Sequence, residues 1–179
     1  VVDTPDDDAV SLREHLGRAA AELQGEIVTA DDVLGLAWAR SVSAMTAQLD
    51  RLPAIPVVQL TGALSRPDGD DSSIDLVREV ARISGGPAYF FFAPFIVADA
   101  STAHALRQHP DTARAFAKIG SVTKAVAGIG AWAPGQSTLY DAAEEKVRRR
   151  LAKQGVRAEI FMKIDATELP TVQLGDSGS

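Results

Sequence analysis

Four runs of almost uninterrupted apolar residues constrain this chain most: VLGLAW at 33–38, PVVQLTGAL at 56–64, AYFFFAP at 88–94 and KAVAGIGAW at 124–132. Each is too short for a helix of ordinary length and lacks the polar alternation of a half-exposed strand. Such runs predict strands buried on both faces, the condition of a parallel sheet. The segments between them carry apolar residues at helical spacing. In SLREHLGRAAAELQGEI at 11–27, Leu12, Leu16, Ala19, Ala20 and Leu23 share one face, with Ser11 as the expected cap. SVSAMTAQL at 41–49 and SIDLVREVARIS at 73–84 follow, the latter closed by Gly85 and Gly86 as its C-cap. Further helices are expected at 101–108 and 111–122, split by Pro110 with Asp111 as N-cap, and at 142–154, before a last strand, RAEIFMKID, at 157–165. Strand and helix in alternation predict an α/β domain: a mostly parallel sheet flanked by helices.

Composition narrows the class. The 179 residues are 46% hydrophobic, enough for one domain over 1–179 with a real core. The absence of cysteine excludes disulfides, cysteine nucleophiles and Cys-ligated metal. No apolar run reaches the roughly 18 residues of a membrane span, and no signal-peptide pattern opens the chain, so a cytoplasmic protein without membrane contact is expected. The net charge of −6 argues against a nucleic-acid surface. The one basic run, KVRRR at 146–150, follows Glu144 and Glu145 and reads as a solvated helix face with i,i+4 pairs.

In an open parallel sheet, ligands bind at the carboxyl ends of the strands. After the first strand come Trp38, Ala39, Arg40, Ser41 and Ser43; after the second, Thr61, Gly62 and Ala63; within the fourth run, Gly128 and Gly130. A helix start with spare N–H groups, two hydroxyls and a guanidinium suits an anion. The plain alternative makes Ser41 an ordinary cap and leaves Arg40 in solvent. Gly62 reads as a turn glycine or a close backbone approach. Gly128-Ile-Gly130 lacks the third glycine and following helix of a dinucleotide fingerprint, and no cofactor is expected. Glu159, inside an apolar strand, needs a partner or a solvent-lined pocket, and an exposed strand edge would also explain it. His15, His104 and His109 form no metal-ligand spacing, and no catalytic constellation assembles. Tyr89, Phe90, Phe91 and Phe92 are expected in a core strand, not at an interface.

The succession LGRAAAELQ, DDVLGLAWARSVSAM, VVQLTGAL, DLVREVARISGGPAYFFFAP, KAVAGIGAWAPGQSTLYD and QGVRAEI resembles the effector-binding domain of SorC/DeoR-type sugar-responsive transcriptional regulators of bacteria. The resemblance runs from about residue 16 to 160. Its most specific pieces are the LAW-x-R-[ST] turn, GG-x-x-Y-x-x-x-AP and GIGAW…STL. It implies a fold similar to the phosphosugar isomerase/deaminase group, that of ribose-5-phosphate isomerase, used for sensing. The first phosphate-cradling turn then falls on Trp38, Ala39, Arg40, Ser41 and Ser43, and the second on Thr61, Gly62, Ala63 and Leu64. A polar loop residue falls on Ser72, the glycine turn on Gly128 and Gly130, and the acidic acceptor of sugar hydroxyls on Glu159. Ala39 and Ala63 stand where the family has glycine, and Ser41 where it has threonine.

The resemblance implies a phosphorylated sugar as effector and a homo-oligomer, dimer or tetramer. It also implies DNA contact only through a separate N-terminal helix-turn-helix, which these residues do not include. Two other readings stay open: a sugar-phosphate isomerase or deaminase with Glu159 as base, and a degenerate domain kept for oligomerisation.

Overall fold

The computed structural model of the chain describes residues 8–63, 72–97 and 99–160. They divide into two compact units, one up to Gly128 and one from Ile129.

The first unit is an α/β layer around a four-stranded parallel sheet. β1 (Leu34–Leu36), β2 (Val57–Gln59), β3 (Ala88–Tyr89) and β4 (Lys124–Val126) lie in the order β3-β2-β1-β4. β1 is central and fully buried, with Leu34 beside both Val57 and Lys124. Gly35 lets the Leu60 and Val122 side chains close over it; a Cβ there would come within 2.8 Å of Leu60. The expected mostly parallel sheet flanked by helices is therefore present.

α1 (Ala9–Ile27) begins two residues before the expected start, because Asp8 and not Ser11 caps it. One Asp8 carboxylate oxygen accepts from the Val10 and Ser11 N–H groups at 2.8 and 3.2 Å, and the other takes the Ser11 hydroxyl at 3.0 Å. A carboxylate satisfies three donors where a serine satisfies one. α1 packs on α2 (Arg40–Thr46) through Gly17, where a Cβ would lie 2.7 Å from the Ala44 carbonyl carbon. α2 begins at Arg40 with Ala39 in the cap position, so Ser41 sits in the first turn and is not the cap.

α3 (Ser73–Ser84) runs as expected and ends on Gly85, whose φ of 73° is left-handed backbone that a side chain would strain. β3 is shorter than its apolar run. Beyond Tyr89 the Phe91 N–H goes to the Gln59 side chain at 3.0 Å instead of a neighbouring strand. Phe91 is buried, but Phe92 is 71% exposed and Arg78 stacks over Phe90 at 4.7 Å. The half-buried Phe90 packs against the core, but Phe92 does not, which corrects the expectation of a core strand through 92.

α4 (Ala100–Gln108) and α5 (Pro110–Ile119) meet at His109. His109, not Asp111, is the cap of α5. Pro110 takes the first helical position, where its missing N–H costs nothing, and Asp111 lies within the first turn.

The run 124–132 is not one strand. β4 ends at Val126, and β5 (Ile129–Ala131) pairs antiparallel with β6 (Ala158–Ile160) in a separate two-stranded sheet. Between these strands lie α6 (Thr138–Ala142), which the expected elements did not include, and α7 (Glu145–Lys153), shorter than the expected 142–154. Ser137 caps α6 by accepting from the Tyr140 N–H at 2.9 Å. The expected Glu145–Arg149 i,i+4 ion pair is present on α7. The last strand was expected to reach 165; its part beyond 160 lies outside the described residues, as does the acidic opening before residue 8.

Candidate functional site

The carboxyl ends of the parallel strands in the first unit bring most of the candidate residues together. Leaving β1, the Ala37 N–H donates to the Val126 carbonyl at 2.9 Å, and the Trp38 N–H donates to the Thr61 hydroxyl at 3.1 Å. Thr61 is thus a buried clasp between the ends of β1 and β2. The chain then turns into α2 through Ala39, whose methyl offers the first N–H groups of the helix no acceptor.

The polar residues of this turn divide between two sides of α2. Arg40 and Ser43 are three apart and share a face. With Trp38 they line a groove of about 390 Å³ whose other wall is Arg13 and Glu14 of α1. Ser41 lies on another side, against Gly128. A Cβ at Gly128 would collide with the Ala39 Cβ and come within 2.8 Å of the Ser41 Oγ. Gly128 therefore permits the end of β4 to close on the β1–α2 turn. Its backbone, like that of Gly62 and Gly130, does not have positive φ.

Gly62 and Ala63 run beside residues 93–95. The Ala63 N–H donates to the Ala93 carbonyl at 2.9 Å, and the Phe95 N–H to the Ala63 carbonyl at 2.8 Å. A Cβ at Gly62 would lie 2.7 Å from the Pro94 carbonyl. The close backbone approach expected of Gly62 is thus with its own chain. Leu64 lies outside the described residues. Ser72 caps α3: its Oγ donates to Asp75 Oδ2 at 2.7 Å and accepts from the Asp75 N–H at 3.2 Å, so its hydroxyl is occupied in a capping box.

Gly130 and Glu159 belong to the second unit, where they face each other across β5 and β6. The carboxylate lies over the glycine; a Cβ at 130 would be 2.7 Å from Glu159 Oε1. That oxygen accepts from the Ser137 hydroxyl at 2.8 Å, while Oε2 is buried with no hydrogen-bond partner among the described residues. Burial pushes the Glu159 carboxyl above its ordinary range, and the Ser137 hydrogen bond partly opposes that. Oε2 thus has acceptor capacity that no described residue uses.

Two residues of this machinery were not singled out from the sequence. Ser137 was visible only as the first letter of the STL motif, and its buried contact with Glu159 depends on strand pairing. Gln59, the one amide in an apolar strand, was the stronger missed signal. Its Nε2 donates to the Thr61 carbonyl at 2.7 Å and to the Ser73 Oγ at 3.0 Å, and its Oε1 accepts from Phe91 N. It ties the ends of β2 and β3 to the start of α3.

Among the described residues no three acidic or histidine side chains gather as metal ligands, and no helix is long and apolar enough to cross a membrane.

Residues 1–164 match the family model described as "Putative sugar-binding domain". No curated protein sequence matches the chain. Among solved structures, a transcriptional regulator from Streptococcus pneumoniae TIGR4 superposes with a TM-score of 0.75 at 20% identity, over 88% of this chain and 62% of that one. The full-length sorbitol operon regulator SorC from Klebsiella pneumoniae gives 0.75 at 17%, over 89% and 54%. A DeoR family transcriptional regulator from Listeria monocytogenes gives 0.75 at 18%, over 89% and 64%. At these identities the superpositions establish the shared fold, and the chain spans less than two thirds of each of those proteins. The family match covers most of its length, and the chain belongs to that sugar-binding domain family, with a fold shared with those regulators.

Proposed function

We propose that this chain is the effector-sensing domain of a transcriptional regulator and that its effector is a phosphorylated sugar. The observation that carries this reading is the β1–α2 turn. It lies at the carboxyl end of a parallel sheet, opens a helix without a side-chain cap, and is closed upon by Gly128. Spare N–H groups with Arg40 nearby suit a phosphoryl group. Ser41 on the Gly128 side and Ser43 with Trp38 and Arg40 on the α1 side are the adjoining contacts, and Thr61, Gly62 and Ala63 hold the neighbouring strand end. In the second unit, Glu159 over Gly130 is the proposed acceptor of sugar hydroxyls.

In the regulator this domain would be one part of a homo-oligomer whose DNA contacts come from a separate domain. The sugar phosphate acts only if it binds one assembly more tightly than another, since equal affinity shifts no equilibrium.

One observation favours an enzyme of the same fold: a carboxyl raised by burial suits proton transfer at carbon. Its described hydrogen-bond partner is a serine hydroxyl, not a second acid or base. Turnover of ribose 5-phosphate or glucosamine 6-phosphate would establish that reading in place of sensing.

Thermal unfolding against a panel of sugar phosphates and their unphosphorylated parents tests the proposal. A ligand at a hundredfold excess over its Kd adds about 2.7 kcal/mol, several degrees for a domain of this size. One phosphosugar is expected to raise the midpoint while its parent sugar does not. Equal shifts with both would refute the phosphate requirement. A ligand response untouched by Arg40→Ala would remove the α2 turn from the site.

A further inference from the structure

We propose that the second unit carries an oxyanion site of its own, between α7 and the end of β5, that takes a tetrahedral dianion of the phosphoryl or sulfuryl class. This inference does not rest on the effector reading above. A cavity of about 500 Å³ is lined there by Trp132, Tyr140, Glu145, Arg148, Arg149 and Arg157, among others. Three guanidiniums face one carboxylate, an excess of two positive charges. Glu145 pairs with Arg149, and among the described residues Arg148 and Arg157 have no carboxylate within ion-pair distance.

Two buried donors of lining residues have no acceptor among the described residues: the indole Nε1–H of Trp132 and the Nε–H of Arg148. Buried N–H groups are nearly always paired, and an orphaned one is a standing cost that an acceptor relieves. Arg148 is also held in place. Its guanidinium stacks over the Tyr140 ring at 5.2 Å, and Tyr140 meets Trp132 edge-on at 5.3 Å. The Trp132 N–H of the main chain donates to the Arg157 carbonyl at 2.9 Å, which holds the two main chains beside each other at the end of the strand pair. The Arg148 guanidinium and the Trp132 indole both pack on Tyr140, and guanidinium and indole N–H donors lining one cavity suit an oxygen-rich anion better than chloride. The charge excess favours a dianion over a monocarboxylate.

The chain has two tryptophans, so its indole N–H resonances can be told apart by one substitution. The test titrates the 15N-labelled full chain with inorganic phosphate, sulfate, acetate and chloride at matched ionic strength and follows the Trp132 indole signal. A saturating shift with phosphate and sulfate, absent with chloride and weak with acetate, is expected. Arg148→Lys keeps the charge but removes the Nε donor, and should raise the half-saturation concentration about tenfold or more. If Arg148→Lys loses spectral dispersion, Arg157→Gln, at an exposed position, provides the second variant and should weaken saturation in the same direction. Drift shared by all four salts, an equal response to acetate, or half-saturation unchanged in the folded variants would overturn the site.

Discussion

Replacing Gln59 with leucine tests whether the strand ends are held by one buried amide. Gln59 has no exposed surface, and all the polar capacity of its side chain is directed at groups that order the edge of the site: the Thr61 carbonyl, the Ser73 hydroxyl and the Phe91 N–H. Leucine has nearly the same volume, so packing changes little and the loss is electrostatic. The Phe91 N–H, itself buried, loses its acceptor, which costs about 1–3 kcal/mol. The Thr61 carbonyl loses its 2.7 Å donor, while the Ser73 hydroxyl can rotate to another partner. Leucine's better transfer free energy returns part of this, and the net expectation is a loss of roughly 2–4 kcal/mol. In a chain of this size that lowers the thermal midpoint by roughly 5–15 °C. Urea unfolding of Gln59→Leu, Ser73→Ala and the double variant measures it. Ser73→Ala should cost less in the leucine background than in the native one, because the shared hydrogen bond is already gone. A loss under 1 kcal/mol for Gln59→Leu, or strict additivity with Ser73→Ala, would refute the idea that this amide organises the strand ends.

Three further outcomes follow from other contacts. Asp32 is ion-paired to Lys124 at 2.6 Å and accepts from Thr123 at 2.7 Å, which hold its carboxyl well below the usual range. A depressed carboxylate stabilises the fold above its ordinary pKa of about 3.9, and that contribution is lost as pH falls from there toward the folded value. Unfolding free energy measured against pH should therefore fall less steeply below about pH 4 in Asp32→Asn than in the native chain. Glu159 has the opposite sign: its raised carboxyl makes ionisation unfavourable in the folded state, a cost that appears as pH rises through the ordinary glutamate range. Glu159→Gln should then equal or exceed native stability at pH 7, lose that advantage at pH 4, and weaken any sugar response in the thermal assay. Ser72→Ala should cost about 1 kcal/mol in urea by removing the α3 cap, while leaving the midpoint shift caused by an effector unchanged.

The layered fold was legible because its signal is redundant. Each buried strand is an unbroken apolar run, and each helix between them keeps its own period, so VLGLAW and PVVQLTGAL identify parallel strands without knowledge of their order. Where the strands stop was not legible. β3 ends after Tyr89, where Gln59, distant in sequence, takes the Phe91 N–H, and β4 ends at Val126, two residues before Gly128 packs against Ala39 and Ser41. Caps were misplaced for a related reason. Asp8, Ser11, His109 and Asp111 are all acceptable near a helix start, and the choice is made by which donors the first turn leaves free. Of the candidate site, the residues at the end of β1 could be located from local pattern alone. Their division between two faces of α2 follows from helical spacing once the helix is known to begin at Arg40 rather than Ser41. The pairing of Glu159 with Ser137 could not be read locally, since it requires β5 and β6 to pair in a register that the sequence does not state.

Ala39 replaces the glycine usual in the resembling family, and the structure indicates how the added methyl is housed. Its Cβ occupies the place that a Cβ at Gly128 would take, so the methyl is accepted only because residue 128 has none. The two positions should therefore be coupled. Gly128→Ala forces the β4 end away from the β1–α2 turn and is expected to cost about 1–3 kcal/mol as overpacking. Ala39→Gly alone should be near neutral, since glycine is at least as good as alanine in the cap position. Combined with Gly128→Ala it should recover part of the loss, because the new methyl enters the space that the old one leaves. Urea unfolding of the two single variants and the double variant gives the coupling directly. Recovery of 0.5 kcal/mol or more is the expected scale for residues in contact. If the losses simply add, the Ala39 methyl is not what Gly128 accommodates, and the tight closure must come from Ser41, whose Oγ would lie 2.8 Å from the same Cβ. In that case Ser41→Ala is the substitution that should relieve Gly128→Ala, and the serine, not the alanine, sets how closely β4 can approach the proposed phosphate turn.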